Sequence, residues 1–389
     1  MKKLLFVIHS LGFGGAERSL INLLHELPKD QYEVDLLLFQ KKGAFLKQVP
    51  SWVRVLDTPK ALDRLYGSVK TAGSYAAVKL FGSCFARLMR KTRKARRAYR
   101  WQHFYKACVE KLPTHYDTAV AYVGTEILYY VGDCVSADRK LVWIHNDYRT
   151  AGYSREDDKP YLEVFDAIAS VSDECVRVLK EEFPEYAAKT FYVENITSSA
   201  RVRTQAEAFV PEDLRQDVCS ILSIGRLSVQ KGFDLAMEAA AILKQRGLSF
   251  CWYVIGTGDQ KQQLEEKRRS LGIEDCFILL GTRDAPYPYI KNCTVFAQTS
   301  RFEGKSVVLD EAKILCAPIV TTAYPTAADQ IAHGREGLVT GMTPEEIADG
   351  IEQMLAGDTR QTVCQYLAEH EYGNQKEIQK YLHLLDASL

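Results

Sequence analysis

One plan occurs twice in this sequence: a short apolar run, a glycine-bearing loop and then a helical pattern. The first copy starts at Leu4 to Ile8, continues as SLGFGGAE and ends in RSLINLLHEL. The second copy starts at Ser220 to Ile224 and continues as GRLSVQKG and DLAMEAAAILKQR. A strand, a glycine loop and an amphipathic helix together open a βαβ unit. The repeat therefore predicts two Rossmann-like α/β domains in one chain.

More strand patterns follow the second copy, at 251–256 (CWYVIG), 277–281 (FILLG), 294–299 (TVFAQT) and 318–322 (PIVTT). Helical patterns separate most of them, which favours parallel sheets covered on both faces. A chain of 389 residues is also long enough for two cores. Because the stretch 197–216 is polar, we predict a first domain over 1–197, a second over 198–366, and a C-terminal helix within 367–389 that packs on the first domain.

Composition excludes several classes of protein. Fifty basic residues balance fifty acidic ones, so the overall charge does not favour a nucleic-acid partner, and we expect none. The ten cysteines are scattered without a C-x-x-C pair, which argues against a thiolate metal site and suits a reducing cytosol. No apolar stretch approaches the length of a membrane span. We therefore expect a cytoplasmic protein or one bound to the inner face of the cell membrane.

Charge is nevertheless uneven, because residues 60–111 contain fourteen Lys or Arg and two acids. Apolar residues interleave with this basic segment and would give a helix one apolar side: Leu80, Phe81, Phe85, Leu88 and Met89. A basic amphipathic helix can lie on an anionic membrane surface. A solvated helix face is the alternative interpretation. The sequence leaves both open for the segment 80–104.

The first glycine loop reads Gly12-Phe-Gly14-Gly15-Ala-Glu17. Glycines at a helix start allow a phosphate to approach backbone N–H groups. Glu17 stands where a dinucleotide fingerprint would have its third glycine, so NAD or FAD binding is disfavoured. A tight turn between strand and helix would need glycine as well, so this loop alone does not identify a ligand.

The second loop carries Arg226 and Lys231, followed by Gly232. An arginine can fork onto two phosphate oxygens, and a lysine adds a point charge. The two cations would therefore neutralise a diphosphate leaving group as its charge develops. A pair of surface cations without function is the alternative.

Two glutamates, Glu303 and Glu311, bracket a third loop and the start of the helical pattern VVLDEAKIL. We expect the backbone N–H groups of Lys305, Ser306 and Val307 to be available at that helix start. Glu311 could accept hydrogen bonds from vicinal hydroxyls such as those of a ribose. The alternative is an ordinary acidic helix N-terminus stabilised by the helix dipole.

Together, these motifs resemble glycosyltransferase family 4, which comprises retaining enzymes of the GT-B fold. The resemblance rests on GFGGAE, GRLSVQKG, VIGTGD, the E-x7-E spacing from Glu303 to Glu311, and PIVTT. It is good through the C-terminal half and thin between about residues 40 and 140. It implies two Rossmann-like domains whose parallel sheets face each other across a cleft.

The resemblance also implies residue roles. Arg226 and Lys231 would hold the donor diphosphate, Glu311 the ribose, and Glu303 a hydroxyl of the donor sugar. His145 would face the transferred sugar, although a histidine at a strand end can simply pair with a neighbour. The remaining implied donor-binding residues are Gly14, Gly15, Gly304, Lys305, Ser306 and Val307. Where the family often has E-G-F-G, this chain has EGKS, so Lys305 and Ser306 could alter which sugar is accepted.

The resemblance implies transfer of a sugar with retention, from a nucleotide sugar, with UDP as the expected nucleotide. We expect a glycan or polyprenyl-linked acceptor bound by the first domain, as in cell-surface polysaccharide synthesis. Because the sequence has no Asp-x-Asp, we expect no metal, and no cofactor besides the donor. The competing hypothesis is a catalytically inactive GT-B paralogue that acts as a binding or scaffold protein.

Overall fold

The computed structural model describes residues 1–12, 14–215 and 217–386, in which the chain forms two compact units. Unit 1 contains residues 1–12, 16–195 and 376–386. Unit 2 contains Gly14, Gly15 and the described part of 196–375. Phe13 of the first glycine loop, Gln216 of the predicted polar boundary and the last three residues of the predicted C-terminal helix lie outside the described residues.

A parallel sheet of seven strands runs through the described part of unit 1, in the order β3-β2-β1-β4-β5-β6-β7. Its strands are β1 (Lys2–Ile8), β2 (Tyr32–Leu38), β3 (Arg54–Val55), β4 (His115–Ala121), β5 (Ser136–Ile144), β6 (Ala167–Ser170) and β7 (Thr190–Tyr192). The connecting helices are α1 (Gly15–Glu26), α2 (Lys60–Tyr66), α3 (Ala76–Met89), α4 (Arg93–Arg100), α5 (Glu126–Cys134), α6 (Arg155–Glu163) and α7 (Asp173–Glu182).

A parallel sheet of six strands runs through the described residues of unit 2, in the order β10-β9-β8-β11-β12-β13. Its strands are β8 (Cys219–Ile224), β9 (Phe250–Ile255), β10 (Phe277–Gly281), β11 (Val295–Gln298), β12 (Ile319–Thr322) and β13 (Leu338–Thr340). Its helices are α8 (Ser199–Ala206), α9 (Phe233–Gln245), α10 (Lys261–Ser270), α11 (Tyr287–Asn292), α12 (Val307–Ile314), α13 (Ala327–Gln330), α14 (Pro344–Leu355) and α15 (Thr359–Ala368).

The central strands are apolar and buried because helices cover both faces of each sheet. Every residue from Leu4 to Val7 of β1, and from Phe250 to Ile255 of β9, is buried. Local signals set the helix ends. Thr343 and Glu346 form a capping box at the start of α14, and Gly247, with φ +82°, follows the end of α9. The prediction of two Rossmann-like parallel sheets is confirmed.

Each sheet has one point where the direction of strand order reverses. In unit 1 this point lies between β1 and β4, and in unit 2 between β8 and β11. A crevice opens at the carboxyl ends of the strands at such a point, and open α/β sheets bind their ligands there. The topology therefore marks one candidate crevice in each unit.

The last described helix, α16 (Ile378–Asp386), belongs to unit 1. The Tyr381 ring stacks on the buried Trp143 ring with centroids 5.4 Å apart, and the Tyr381 hydroxyl donates to the Glu194 carbonyl at 2.9 Å. The Asp386 carboxylate accepts from the Tyr32 hydroxyl at 2.6 Å. Among the residues described, no helix is both long enough and apolar enough to cross a bilayer.

Candidate functional site

The crevice of unit 2 is formed by the loops that follow β8 and β11, and hydrogen bonds join these two loops. The Thr299 hydroxyl donates to the carbonyls of Lys231 and Gly232, at 3.1 and 3.0 Å. The Arg301 N–H donates to the Gln230 carbonyl at 2.7 Å. Gly232 has φ +60°, and a Cβ there would lie 2.0 Å from the Thr299 carbonyl oxygen. This glycine is therefore required for the close approach of the two loops.

The glycines of the VIGTGD motif support the β8 loop from the neighbouring strand β9. The Leu227 N–H donates to the Thr257 carbonyl at 3.0 Å. A Cβ on Gly256 would lie 1.8 Å from the Gly225 carbonyl oxygen, and one on Gly258 would lie 2.1 Å from that of Leu227. The motif thus lets its backbone pack directly on the loop that carries the exposed Arg226.

Glu303 is buried in the crevice and its carboxylate accepts hydrogen bonds on both oxygens. Lys231 Nζ and the Ser300 hydroxyl donate to Oε1 at 2.5 and 2.7 Å, and Gln230 Nε2 lies 3.2 Å from Oε2. Lys231 is itself mostly buried, with 18% of its side chain exposed. Two residues predicted from separate motifs therefore form one ion pair.

The start of α12 differs from the sequence-based expectation. The Ser306 N–H, expected to be available to a phosphate, donates to Gln330 Oε1 at 3.0 Å, and the Ser306 hydroxyl donates to Gln298 Oε1 at 2.7 Å. The expectation was wrong for this amide because a side chain distant in sequence occupies it. Lys305 Nζ lies 3.6 Å from Asp310 Oδ2, so its charge is partly compensated within the same loop and helix.

Glu311 lies on α12 and is also buried. Its Oε1 accepts a hydrogen bond from the Tyr287 hydroxyl at 2.9 Å. Tyr287 is at the start of α11 and fixes the carboxylate from a different element. The predicted ribose-binding glutamate is therefore held in place by a residue outside the motif.

His145 follows β5 in unit 1 and is almost fully buried. Its Nε2 lies 2.9 Å from the Tyr122 carbonyl oxygen, which can only accept, so Nε2 carries the proton. Burial lowers the pKa of His145 to about 4, against a weaker opposing effect of that hydrogen bond. The imidazole is therefore neutral near pH 7. Its Nδ1 is buried and accepts no hydrogen bond from the described residues.

The structure joins Lys231 and Glu303 in one ion pair and holds Glu311 through Tyr287. The other predicted residues are described by the element in which each lies. Gly304 and Val307 lie in the same loop and helix start as Glu303 and Ser306. Gly15 begins α1, with Gly14 immediately before it. Sequence reasoning missed the residues that hold the predicted ones in place, namely Gln230, Tyr287, Gln298, Ser300 and Gln330. Gln230 and Ser300 are close in sequence to Lys231 and Glu303, whereas the other three had no local signal.

Among the residues that the structure describes, no group of three or more His, Cys, Asp or Glu side chains is arranged to hold a metal ion.

Comparison with known proteins finds a family match in the second half of the chain. Residues 205–371 match the sequence model of "Glycosyl transferases group 1". This range contains both loops of the unit 2 crevice and helix α12.

Three similar proteins are named as glycosyltransferases or as a sugar transferase. The amylovoran biosynthesis glycosyltransferase AmsK of Erwinia amylovora is 32% identical over 143 residues, which is 35% of this chain and 34% of AmsK. An uncharacterized glycosyltransferase of Haemophilus influenzae is 24% identical over 99% of this chain and all of its own length. The third is the N-acetylgalactosamine-N,N'-diacetylbacillosaminyl-diphospho-undecaprenol 4-alpha-N-acetylgalactosaminyltransferase of Campylobacter jejuni, 32% identical over 38% of this chain and 40% of that protein.

The match therefore spans about a third of the length of AmsK and two fifths of the Campylobacter protein. Among solved structures, Anabaena HepE in complex with UDP and glucose superposes with a TM-score of 0.70 at 17% identity, over 99% of both chains. Residues 205–371 are therefore similar to glycosyl transferases group 1, and the two Rossmann-like units have the GT-B fold.

Proposed function

We propose that this protein transfers a sugar from a UDP-sugar to a glycan or polyprenyl-linked sugar acceptor, with retention of configuration, in the synthesis of a cell-surface polysaccharide. One observation supports this most: Lys231 and Glu303 form a mostly buried ion pair in the crevice of unit 2, and Glu311 is held on α12, all within the range that matches the family. The names of AmsK and the Campylobacter transferase, and the UDP complex of HepE, point to the same class of reaction.

The donor would use groups already held in place. Arg226 and Lys231 would bind the diphosphate, with the helix start at Gly304, Lys305 and Val307 nearby. When the donor binds, Lys231 would share its charge between Glu303 and a phosphate oxygen. Glu303 would then accept from a hydroxyl of the donor sugar, and Glu311, fixed by Tyr287, from the ribose hydroxyls.

The proposed reaction needs no covalent intermediate. The acceptor hydroxyl attacks the anomeric carbon on the face from which the diphosphate departs, so the new glycosidic bond forms as the bond to the phosphate oxygen breaks. The hydroxyl proton passes to the departing phosphate. Arg226 and Lys231 stabilise the charge that develops there. We propose that no metal takes part, that Gly14 and Gly15 contribute to donor binding, and that neutral His145 faces the transferred sugar.

Thermal stabilisation by a panel of nucleotides tests the donor site. UDP and UDP-sugars should raise the melting temperature more than GDP or ADP does. Arg226→Ala should weaken UDP binding about tenfold, because one charge-assisted contact to phosphate is lost. Lys261→Ala removes an exposed charge from α10 and should leave UDP binding unchanged.

The outcomes separate the hypotheses. UDP-sugar binding without hydrolysis or transfer would favour the catalytically inactive paralogue. Stabilisation by none of the nucleotides would contradict the donor site altogether.

The location that we propose is the cytoplasmic surface of the cell membrane, because α3 presents large apolar side chains to solvent. These are Leu80, Phe81, Phe85, Leu88 and Met89, whose exposed fractions range from 47% to 76%. The helix packs on unit 1 through its buried small residues Gly82 and Ala86. The exposed basic residues Arg87, Lys91 and Arg93 belong to the end of α3 and the residues that follow it. That combination fits an anionic lipid surface.

Flotation with phosphatidylcholine vesicles, with and without phosphatidylglycerol, tests this surface at low salt. The chain should bind the anionic vesicles, and the double variant Phe81→Asp/Leu88→Asp should bind at least about tenfold more weakly, because two apolar side chains no longer enter the interface. Phe209→Asp/Val210→Asp is the matched control on the exposed apolar residues of unit 2. Binding that does not depend on α3, or no binding, would favour an acceptor in solution.

A further inference from the structure

The loop that precedes α12 is held by Gln330, the last residue of α13. The Gln330 Oε1 accepts the Ser306 N–H at 3.0 Å, and the Gln330 Nε2 donates to the Ser306 carbonyl at 2.5 Å. One planar amide group therefore pairs with both backbone groups of a single residue, as the backbone of a paired strand does. Both residues are buried.

The second N–H of the Gln330 amide is used as well. Its Nε2 lies 3.0 Å from Oδ1 of Asp310, a buried residue of α12. The Gln330 backbone carbonyl accepts from Lys313 Nζ, also on α12, at 2.9 Å. Gln330 thus contacts α12 with both its side chain and its backbone, and it joins α13 to the start of that helix.

The charged groups linked to this amide balance one another. Lys305 Nζ lies 3.6 Å from Asp310 Oδ2, and Lys313 Nζ lies 4.0 Å from Asp310 Oδ1. Glu336 Oε1 lies 3.7 Å from Lys313 Nζ. Two lysines and two carboxylates therefore form one network with the neutral Gln330 side chain, and a further charge at this buried position would unbalance it.

The chain around α13 contacts the same loop at a second point. The hydroxyl of Thr326, directly before α13, donates to the Glu303 carbonyl at 3.1 Å. At the other end of the loop, the Ser306 hydroxyl donates to Oε1 of Gln298, the last residue of β11, at 2.7 Å. The loop is thus fixed at both ends by residues that lie outside it.

We propose that Gln330 is a positioning residue for the nucleotide-sugar donor: by fixing both backbone groups of Ser306, it keeps this loop and the start of α12 in the shape that binds the donor, without contacting the donor itself. The proposal rests on the glycosyltransferase function proposed above. It also gives the Ser306 amide a role different from the expected one, because that N–H serves the loop and not a phosphate.

A glutamine suits this position because its amide has one acceptor and two N–H donors. An ionised carboxylate at position 330 would present only acceptors to the Ser306 carbonyl and to Asp310. A protonated carboxyl group would again offer one acceptor and one donor, which is enough to pair with both backbone groups of Ser306. Burial and the charge of Asp310 favour the protonated form, and Lys305 and Lys313 limit that effect, so we expect protonation by about pH 5.5 and ionisation at about pH 8.

Isothermal titration calorimetry with UDP on the full chain tests this role. Each variant is compared with the wild type at the same pH, because a terminal phosphate itself titrates at about pH 6. Gln330→Met should bind UDP about tenfold more weakly at both pH values, because the loop must be ordered when the donor binds. Gln330→Glu should be at least as weak at about pH 8 and recover to within about threefold of the wild type at about pH 5.5. Gln361→Glu, at an exposed position of α15, should match the wild type throughout.

Urea titration of the same variants separates positioning from stability, because it shows whether each variant is folded under the conditions of the binding measurement. With a donor that is turned over, the donor KM of Gln330→Met should rise about tenfold, while kcat stays within about threefold and the acceptor KM is unchanged. If the Gln330 variants do not fold, Thr326→Val still tests the loop. It keeps the shape of the side chain but loses the donor to the Glu303 carbonyl, and it should weaken UDP binding about threefold.

The outcomes distinguish this proposal from the proposed function. Variants that lose stability but bind UDP as the wild type does would show that Gln330 only packs α13 on α12. Equal weakening of Gln330→Glu at both pH values would contradict the pairing with Ser306. Either result overturns the positioning role alone. A wild-type chain that binds no nucleotide would instead overturn the proposed donor site, and the positioning role with it.

Discussion

In each unit a buried glutamate lies beside a cation, after the strand where the strand order reverses. The two carboxylates are paired differently. In unit 2, Glu303 accepts from Lys231, Ser300 and Gln230, so both of its oxygens are hydrogen-bonded. In unit 1, Glu126 has Arg97 at 3.0 Å but accepts no hydrogen bond of good geometry from the described residues. A well-paired buried carboxylate stabilises a fixed arrangement, whereas an underpaired one carries a desolvation cost.

The difference teaches how each crevice is built. Unit 2 draws the partners of Glu303 from the two loops that form the crevice, and Gly232 lets these loops touch. Unit 1 brings Arg97 from α4 and holds Glu126 behind a strained Thr125. Unit 2 therefore holds Glu303 in a fixed, hydrogen-bonded arrangement, whereas unit 1 stabilises Glu126 mainly by the charge of Arg97.

The largest effect is expected from Lys231→Ala. This change removes the charge that would stabilise the departing diphosphate and leaves Glu303 buried without its cation. We expect kcat/KM for UDP-sugar hydrolysis or transfer to fall about 100- to 1,000-fold. Initial rates with saturating acceptor or water measure the effect.

Lys261→Ala serves as the control, because it removes an exposed lysine from the same unit. The comparison of the two crevices would fail if Lys231→Ala altered only the acceptor KM. Unit 2 would then not be the donor side.

Local patterns predicted the fold, whereas contacts between distant segments decided the rest of the site. Both strand–loop–helix copies could be predicted because each lies within one short segment, one beginning at Leu4 and the other at Ser220. The Ser306 amide was misjudged because Gln330, on another helix, occupies it. No sequence pattern identified Glu126, because its ion pair is made with Arg97, which lies on α4 and is distant in sequence.

Gly232→Ala should have the next largest effect, on stability. At φ +60° an alanine Cβ would lie 2.0 Å from the Thr299 carbonyl oxygen, which leaves no room for a side chain. We expect the free energy of unfolding to fall by about 3 kcal/mol, with weaker UDP binding, because the β8 and β11 loops must separate. Urea titration followed by tryptophan fluorescence measures it.

Gly247→Ala is the matched control, because Gly247 has φ +82° but nothing within 4 Å of a Cβ. It should cost about 1 kcal/mol, from backbone strain alone, and leave UDP binding unchanged. Equal costs for the two glycines would show that the contact between the loops contributes nothing.

His145 predicts a pH dependence of stability that originates in unit 1. Because burial lowers its folded-state pKa from 6.5 to about 4, the unfolded chain binds the proton more readily between these values. Stability should therefore be full above pH 6.5 and fall as pH drops towards 4, by about 3 kcal/mol. His145→Gln should remove this part of the acid sensitivity, and His103→Gln, at an exposed position, should not. Identical difference profiles for both variants would contradict a buried neutral His145.

The smallest effect is expected from Thr125→Gly, which tests whether the backbone is strained where it leads into α5. A β-branched residue at φ 75° and ψ −140° costs about 1 to 3 kcal/mol, and glycine removes that cost while losing somewhat more backbone entropy on folding. The free energy of unfolding should therefore rise by about 1 kcal/mol, whereas Gly232→Ala lowers it. Urea titration measures this change. An unchanged or lower stability of Thr125→Gly would mean that the Thr125 conformation stores no strain in unit 1.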